Sequence, residues 1–291
     1  RVIVSDSQRG SGEGNMWDSG WVVSDRMQLI EYSGRPLSSD RTYYWRVKVK
    51  DEAGVESRWS PVANWSTGLF DLSQWKALWI GSGDVMDTSV KQDCDIWDPW
   101  LRKQVALDKR PSRAVMFVAS VGYHEPYVNG QKIGDHELAP AVSDHTTRAR
   151  YIAYDIAPLL QKGENVIALW LGTSWSIFEP YMTPDKPLTP IVTAQADIYY
   201  DKKVMAASAP ALRISTDSTW KTHPSPNKLL GKWGMGSIGG ELWDANRDIP
   251  GWNTVAFDDG GWEAATVYSP RLLLSAQNSQ VNRLYDEIAP V

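Results

Sequence analysis

Tyr43-Tyr44-Trp45-Arg46-Val47-Lys48-Val49-Lys50 alternates without a break. Trp45, Val47 and Val49 fall on one side, and Tyr44, Arg46, Lys48 and Lys50 on the other. A period of two marks a β-strand with one buried face. The turn Asp51-Glu52-Ala53-Gly54 follows. Trp59-Ser60-Pro61 then leads into Ala63-Asn64-Trp65-Ser66-Thr67, which completes a β-hairpin of an antiparallel sandwich. Upstream, Arg1-Val2-Ile3-Val4-Ser5 reads as a strand already in progress, with no charged n-region and no apolar h-region around it. Either a leader is gone or the chain is a fragment, and the strand-like opening favours a fragment that begins inside a domain and lacks its first strand.

Downstream, residues 69–79 read as a connector with one helical turn, and a domain boundary is placed there. Residues 82–100 are polar and rich in Asp, which predicts a long loop, with strands resuming from residue 101. Arg113–Val121 is strongly β in character. Asn129-Gly130, between Tyr127-Val128 and Gln131-Lys132-Ile133, is a two-residue hairpin signal, because both turn positions need positive φ. Arg150–Ile156 and Val166–Leu171 are further strands. Pro180, Pro184, Pro187 and Pro190 predict a surface excursion, after which Ile191–Tyr200 and Leu212–Ser215 resume strand. Residues 231–240 hold five glycines and read as loop. No segment has a helical period longer than two turns, and there is no internal repeat.

At 291 residues the chain is long for one domain, which predicts two. Its 42% apolar content is enough to bury real cores. A formal charge of −5 and a pI near 5.5 argue against nucleic acid, whose phosphates want a basic face. No apolar run approaches the length of about 18 residues that a membrane span requires. Cys94 is the single cysteine, which excludes a disulfide framework and Cys-rich zinc sites. Asp93 and Asp95 beside it raise its thiol pKa and make it a poor nucleophile. The aromatic balance is lopsided, with 16 Trp and 12 Tyr against 4 Phe. Trp joins a flat apolar face to one N–H donor, so it suits sugar faces as well as sandwich cores.

Few patterns carry chemistry. The acidic pairs Glu241 with Asp244 and Asp258 with Asp259 have the residue types of glycoside hydrolysis, but acids on turns are ordinarily solvated or capping. His124, His136, His145 and His223 show no zinc spacing and read as surface or turn histidines. There is no nucleophile elbow, P-loop or dinucleotide fingerprint. The most suggestive segment is Gly239-Gly240-Glu241-Leu242-Trp243-Asp244-Ala245-Asn246-Arg247. Its oxygens (Glu241, Asp244, Asn246) suit calcium, and Trp243 could stack on a sugar ring. The plainer alternative is a loop held by Arg247.

Taken in order, the residues resemble the N-terminal, non-catalytic region of bacterial α-L-rhamnosidases of glycoside hydrolase family 78. The leading domain is matched by Met16-Trp17-Asp18-Ser19-Gly20, Tyr32-Ser33-Gly34-Arg35-Pro36-Leu37, Tyr43-Tyr44-Trp45-Arg46-Val47 and Ser66-Thr67-Gly68-Leu69. Trp79-Ile80-Gly81 opens the second domain. That domain is matched by Tyr127-Val128-Asn129-Gly130, Leu138-Ala139-Pro140, Gly163-Glu164-Asn165, Glu241 with Asp244-Ala245, Pro250-Gly251-Trp252, and Phe257-Asp258-Asp259 with Trp262. Tyr285-Asp286-Glu287-Ile288-Ala289-Pro290 resembles the phrase leading into the rest of such an enzyme. Two departures stand out: Thr173-Ser174-Trp175-Ser176 where the family often has Gly-x-Gly-Trp-Tyr, and Ala245-Asn246-Arg247 where it has Ala-Arg.

The resemblance implies an all-β chain. A fibronectin-III-like sandwich over 1–72 is followed by a linker, 73–77, and a jelly-roll of galactose-binding type over 78–275. Residues 276–291 are the connector toward an (α/α)6 catalytic domain of the same parent. It implies no catalytic residue within the chain. It implies a jelly-roll that binds a rhamnose-containing glycan, in some members through calcium, or one that only positions the catalytic barrel. Asn129, Asp144, Trp175, Glu241, Trp243, Asp244 and Asn246 are the expected sugar contacts, with Glu241, Asp244 and Asn246 as the expected metal ligands. The family's habit implies a periplasmic or secreted location. The alternatives are a ligand-free interdomain scaffold and a self-contained glycoside hydrolase.

Overall fold

The computed structural model describes residues 1–12, 14–86, 96–201, 209–230 and 240–289. Cys94 and most of the glycine-rich stretch, 231–239, lie outside them. The chain is all-β, and its only helical pieces among the described residues are four short 3-10 turns. It divides into two units, Arg1–Gln74 and Trp75–Val291.

The first unit is built on one antiparallel sheet. Its strands are β1 (Val2–Ser5), β2 (Trp17–Asp18), β3 (Thr42–Val47) and β4 (Ala63–Ser66), in the order β2-β1-β3-β4. The alternating stretch forms β3 as expected, but the strand ends at Val47 rather than Lys50. Val4 lies opposite Trp45, so the apolar face predicted from the sequence is continuous across the two strands. Tyr32 closes over it, edge-on to Trp17 at 5.5 Å and to Trp65 at 6.3 Å. Gly34 allows this approach: a Cβ there would stand 2.3 Å from the Met16 carbonyl oxygen.

The second unit is a sandwich of two seven-stranded sheets. Its strands begin with β5 (Trp79–Gly81), β6 (Trp97–Leu107), β7 (Arg113–Val121), β8 (Tyr123–Val128), β9 (Gln131–Lys132), β10 (Arg148–Asp155) and β11 (Gly163–Gly172). They continue with β12 (Ile191–Tyr199), β13 (Leu212–Ser215), β14 (Lys221–Leu230), β15 (Gly240–Trp243), β16 (Glu263–Ala264), β17 (Thr266–Tyr268) and β18 (Leu273–Ala276). One sheet runs β17-β5-β12-β7-β10-β18, with β13 also on β12. The other runs β15-β14-β6-β11-β8-β9, with β16 also on β14.

Side chains alternate between the interior and the outer face of the second sheet. Leu101, Ile167, Leu169 and Val128 enter the core between the sheets, against Val118, Val192 and Ala196. Trp100, Ala168 and Trp170 point the other way; Trp252 and Trp262 stack on Trp100, and Trp170 lies at the margin of that cluster.

Two expectations are corrected. Residues 97–100, read as loop, form the first turn-free stretch of β6, because Pro99 and its neighbours pair with β14. Strand β14 itself, with Pro224 and Pro226, was not legible; its register shifts between Pro224 and Lys228, and the irregularity accommodates the missing donors.

Candidate functional site

Across the second sheet, Glu125 of β8, Trp170 of β11, Trp100 of β6 and His223 of β14 stand directly opposite one another in register. Directly paired residues share a face, so these four form one row on the outer surface. Much of the row is roofed. Trp252 stacks on Trp100 at 4.7 Å and 13°, and Trp262 stacks on His223 at 5.1 Å. The roof is clamped by Arg102, whose side chain is fully buried. Its guanidinium donates to the Thr254 carbonyl at 2.9 Å and the Phe257 carbonyl at 3.3 Å, pairs with Asp259, and lies 5.2 Å from the Phe257 ring centre. Asp258 accepts the Gly260 N–H at 2.9 Å. The Asp258–Asp259 pair therefore serves the loop and the clamp, as the plain reading of acids on turns expects.

The roof stops short of Trp170. That half-buried indole meets Trp243 of β15, ring centres 5.8 Å apart and planes at 53°. Trp243 is 50% exposed, whereas Trp100 is 1% and Trp252 8% exposed. Trp170 and Trp243 therefore form the part of this aromatic face that opens to solvent.

A polar corner adjoins them. Asp98 is buried on β6. Its Oδ1 accepts the Thr173 N–H at 2.6 Å and the Thr173 hydroxyl, and its Oδ2 accepts the Asn227 amide at 2.6 Å. Burial pushes the Asp98 carboxyl up to about 6, against the pull of those donors, and the nearby charge of Glu241 adds to the rise. Gly122 lets the chain close at this corner: its φ is +97°, and a Cβ would stand 2.3 Å from the Gly172 carbonyl oxygen, immediately before Thr173. On the other side of Trp170, Glu125 accepts the Tyr127 hydroxyl at 2.6 Å and Lys132 Nζ at 2.8 Å. Lys132 also reaches Glu137, at 2.9 Å.

The expected sugar contacts fall in three places. Glu241 and Trp243 lie on β15, at the open edge just described, with Asp244 and Asn246 directly after it. Asp244 is the cap of a 3-10 turn, its Oδ1 accepting the Asn246 N–H at 3.1 Å and the Asn246 amide at 3.0 Å. Arg247 turns over Trp97, 4.0 Å from its ring centre.

Asp144 and Trp175 lie near a second spot, joined through His145 and Tyr181. Asp144 is exposed, and bonds from the Thr146 hydroxyl and N–H hold its carboxyl below the usual range. Trp175 packs against Phe178 at 5.5 Å.

Asn129 stands apart, at the hairpin predicted from Asn-Gly, with φ +51°. Its amide nitrogen donates to the Leu159 carbonyl and to Asn165, both at 2.9 Å, and its oxygen accepts the Val166 N–H at 2.9 Å. It staples strands rather than facing a ligand.

The expected calcium set is thin as folded. Asn246 donates to Asp244, so its carbonyl turns away from that carboxylate, while calcium takes about six to eight oxygens. Among the described residues no group of three or more His, Cys, Asp and Glu side chains could hold a metal ion.

One histidine also differs from expectation. His124 lies in β8 and is 2% exposed, while His145, in a turn as expected, is equally buried. His124 bonds Ser120 at 2.8 Å and Tyr154 at 3.0 Å, and burial pulls it down to about 3.

Reading the sequence missed Trp170, Asp98 and Asn227. Trp170 is the one outward indole in a run that reads as uniformly buried. Asp98 sits in a stretch that reads as loop, and Asn227 is masked by flanking prolines.

Comparison with known proteins places this geometry in context. The α-L-rhamnosidase N-terminal domain model matches residues 109–286. A model described as the Rha78A-like N-terminal immunoglobulin domain matches residues 1–71. The chain is similar to an α-L-rhamnosidase of Formosa agariphila, 28% identical over 286 residues, covering 90% of this chain and 29% of that protein. It is also similar to one of Alteromonas sp. (strain LOR), 26% identical over 282 residues, covering 94% of this chain and 30% of that protein.

Among solved structures, the α-L-rhamnosidase from Dictyoglumus thermophilum is 30% identical with a TM-score of 0.79, over 96% of this chain and 31% of that one. The Streptomyces avermitilis α-L-rhamnosidase shares the fold at 19% identity and a TM-score of 0.79, over 98% of this chain and 43% of that one. The chain spans about 30% of the length of the Formosa and Alteromonas relatives.

Proposed function

Because the chain belongs to the family of α-L-rhamnosidase N-terminal domains, we propose that it is the carbohydrate-engaging, non-catalytic part of an α-L-rhamnosidase-like glycoside hydrolase. Its glycan contact is the open edge of the second sheet. The observation that carries this reading is the Trp170–Trp243 pair left uncovered at the end of an otherwise roofed aromatic row.

Two indoles in contact at 53° offer a bent apolar surface that matches one face of a pyranose. Asn227, held by the buried Asp98, and Glu241 beside them offer polar groups for sugar hydroxyls. The ligand class is a rhamnose-containing glycan, and the functional partner is an (α/α)6 catalytic domain of the same parent protein, exported to the periplasm or beyond. Calcium, if used, draws Glu241 and the free oxygen of Asp244, and needs further oxygens from the glycan or solvent.

Calorimetric titration of L-rhamnose into the chain, with calcium and then with chelator, tests the reading. Saturable heat that disappears in Trp243→Ala is expected. Absence of heat under both conditions would favour a ligand-free scaffold that only positions the catalytic domain. Heat that needs calcium would bring Glu241 and Asp244 into the site.

A further inference from the structure

Lys186 has no exposed surface, yet its ammonium nitrogen has no hydrogen-bond partner. It closes a tight turn, Thr183–Lys186, and directs its side chain inward. The adjacent carboxylate makes no hydrogen bond to it. Asp185 accepts the Thr183 hydroxyl at 2.7 Å and the Arg271 N–H at 3.2 Å, and it faces the Arg271 guanidinium at 3.8 Å. Burial lowers the Lys186 amine to about 8 against the opposing charge of Asp185, so it still carries its proton at neutral pH.

A buried ammonium without a hydrogen-bonded counter-ion is strongly disfavoured, and such charges are found paired. His145 lies within electrostatic reach. It is 2% exposed, its Nδ1 also has no partner, and burial and the Lys186 charge hold it down to about 4. Tyr181, half-buried, packs edge-on against the His145 ring at 5.4 Å. Phe178 adjoins Tyr181 at 5.0 Å and Trp175 at 5.5 Å. Ser176, on the same turn as Trp175, is buried with a third unbonded polar atom, its Oγ.

We propose that Lys186 and His145 form a receptor for a ligand carboxylate, with Tyr181, Phe178 and Trp175 as its aromatic wall. Lys186 Nζ donates to one carboxylate oxygen and the His145 Nδ1–H to the other. The Tyr181 ring moves aside to admit the ligand. A cation beside half-buried aromatic rings fits an acidic sugar, a pyranose bearing a carboxylate, better than a neutral one. The site is separate from Trp170 and Trp243 and stands on its own orphaned donors, so the L-rhamnose titration neither supports nor removes it.

Calorimetric titration of the chain at pH 7 with sodium D-glucuronate, sodium acetate and D-glucose tests the assignment. The expected result is saturable heat from glucuronate, none from glucose, and binding weakened roughly tenfold or more in Lys186→Met. Acetate binding as tightly as glucuronate would sustain the carboxylate receptor and assign it to small acids rather than acidic sugars. No saturable heat from either acid overturns the proposal, as does glucuronate binding unchanged in Lys186→Met. That variant keeps the chain length while removing a buried charge, and is expected to melt no lower than the parent. Should it fail to fold, His145→Phe, which keeps a ring and removes the donor, is held to the same tenfold criterion.

Discussion

Asn227 Nδ2 stands 2.6 Å from Asp98 Oδ2, and this bond ties the irregular strand β14 to the start of β6. Asn227 lies directly opposite Trp243 in the ladder. The bond therefore fixes the strand on which β15, the carrier of the exposed indole, is paired, and it does so through a carboxyl whose charge state changes near neutral pH. The open edge of the aromatic face is thus set by a buried acid.

Asp98 makes stability depend on pH in a definite direction. Its folded value is about 6 against an ordinary 3.8. Its contribution is therefore complete below pH 3.8 and is lost as pH rises through 6. The ionised form is disfavoured in the folded state by about 3 kcal/mol. Asp98→Asn is expected to gain stability relative to the parent as pH rises from 4 to 7, with the Asn227 amide reversed to accept. Chemical denaturation of both proteins at several pH values across that range measures the difference.

His124 acts in the opposite sense. Its folded value of about 3 lies below the ordinary 6.5, so its contribution is present above 6.5 and is lost as pH falls toward 3. His124→Gln keeps one of the two bonds to Ser120 and Tyr154, and is expected to cost about 1–3 kcal/mol at pH 7. It should also flatten the loss of stability between pH 6.5 and 4. Circular dichroism unfolding curves across that interval check both expectations.

The two classes of tryptophan separate by mutation. Trp252→Ala removes a ring stacked at 4.7 Å on Trp100, and is expected to cost about 3–5 kcal/mol. Trp243→Ala, at a half-exposed edge, is expected to change stability by about 0.5 kcal/mol or less. Thermal melts distinguish them, and the second variant is the one that should lose sugar.

Arg102 and Asp259 clamp the roof. Asp259→Ala strands a fully buried guanidinium and is expected to cost about 3–5 kcal/mol. The roof would loosen with it, so the Trp252 and Trp262 indole N–H protons should exchange faster in deuterated solvent.

The sequence and the structure agree where one residue pattern decides the outcome. Tyr43–Val47 becomes a strand because its alternation is complete, and Asn129-Gly130 becomes a hairpin because positive φ is easy there. Pattern failed where tertiary packing overrode local preference. Pro226 sits where the register of β14 shifts, and Pro99 and Pro224 stand opposite each other in the β6–β14 pair. Asp98 is tolerated inside because Thr173 and Asn227, which are 75 and 129 residues away, bring donors to it. Residue types alone could nominate Trp243 and Glu241, but the pairing of Trp243 with Trp170 follows from sheet register, which no local motif encodes. Asn129 was nominated for its type, while its position consumes every polar atom of its side chain.

The central claim is that the sugar sits on the Trp170–Trp243 edge. Indole N–H resonances of the 15N-labelled chain, followed during titration with L-rhamnose, report it directly. The account predicts saturable shifts at Trp170 and Trp243, with Trp252 and Trp262, which form the roof, unmoved. No saturable shift at Trp243, or shifts confined to Trp175, would contradict it.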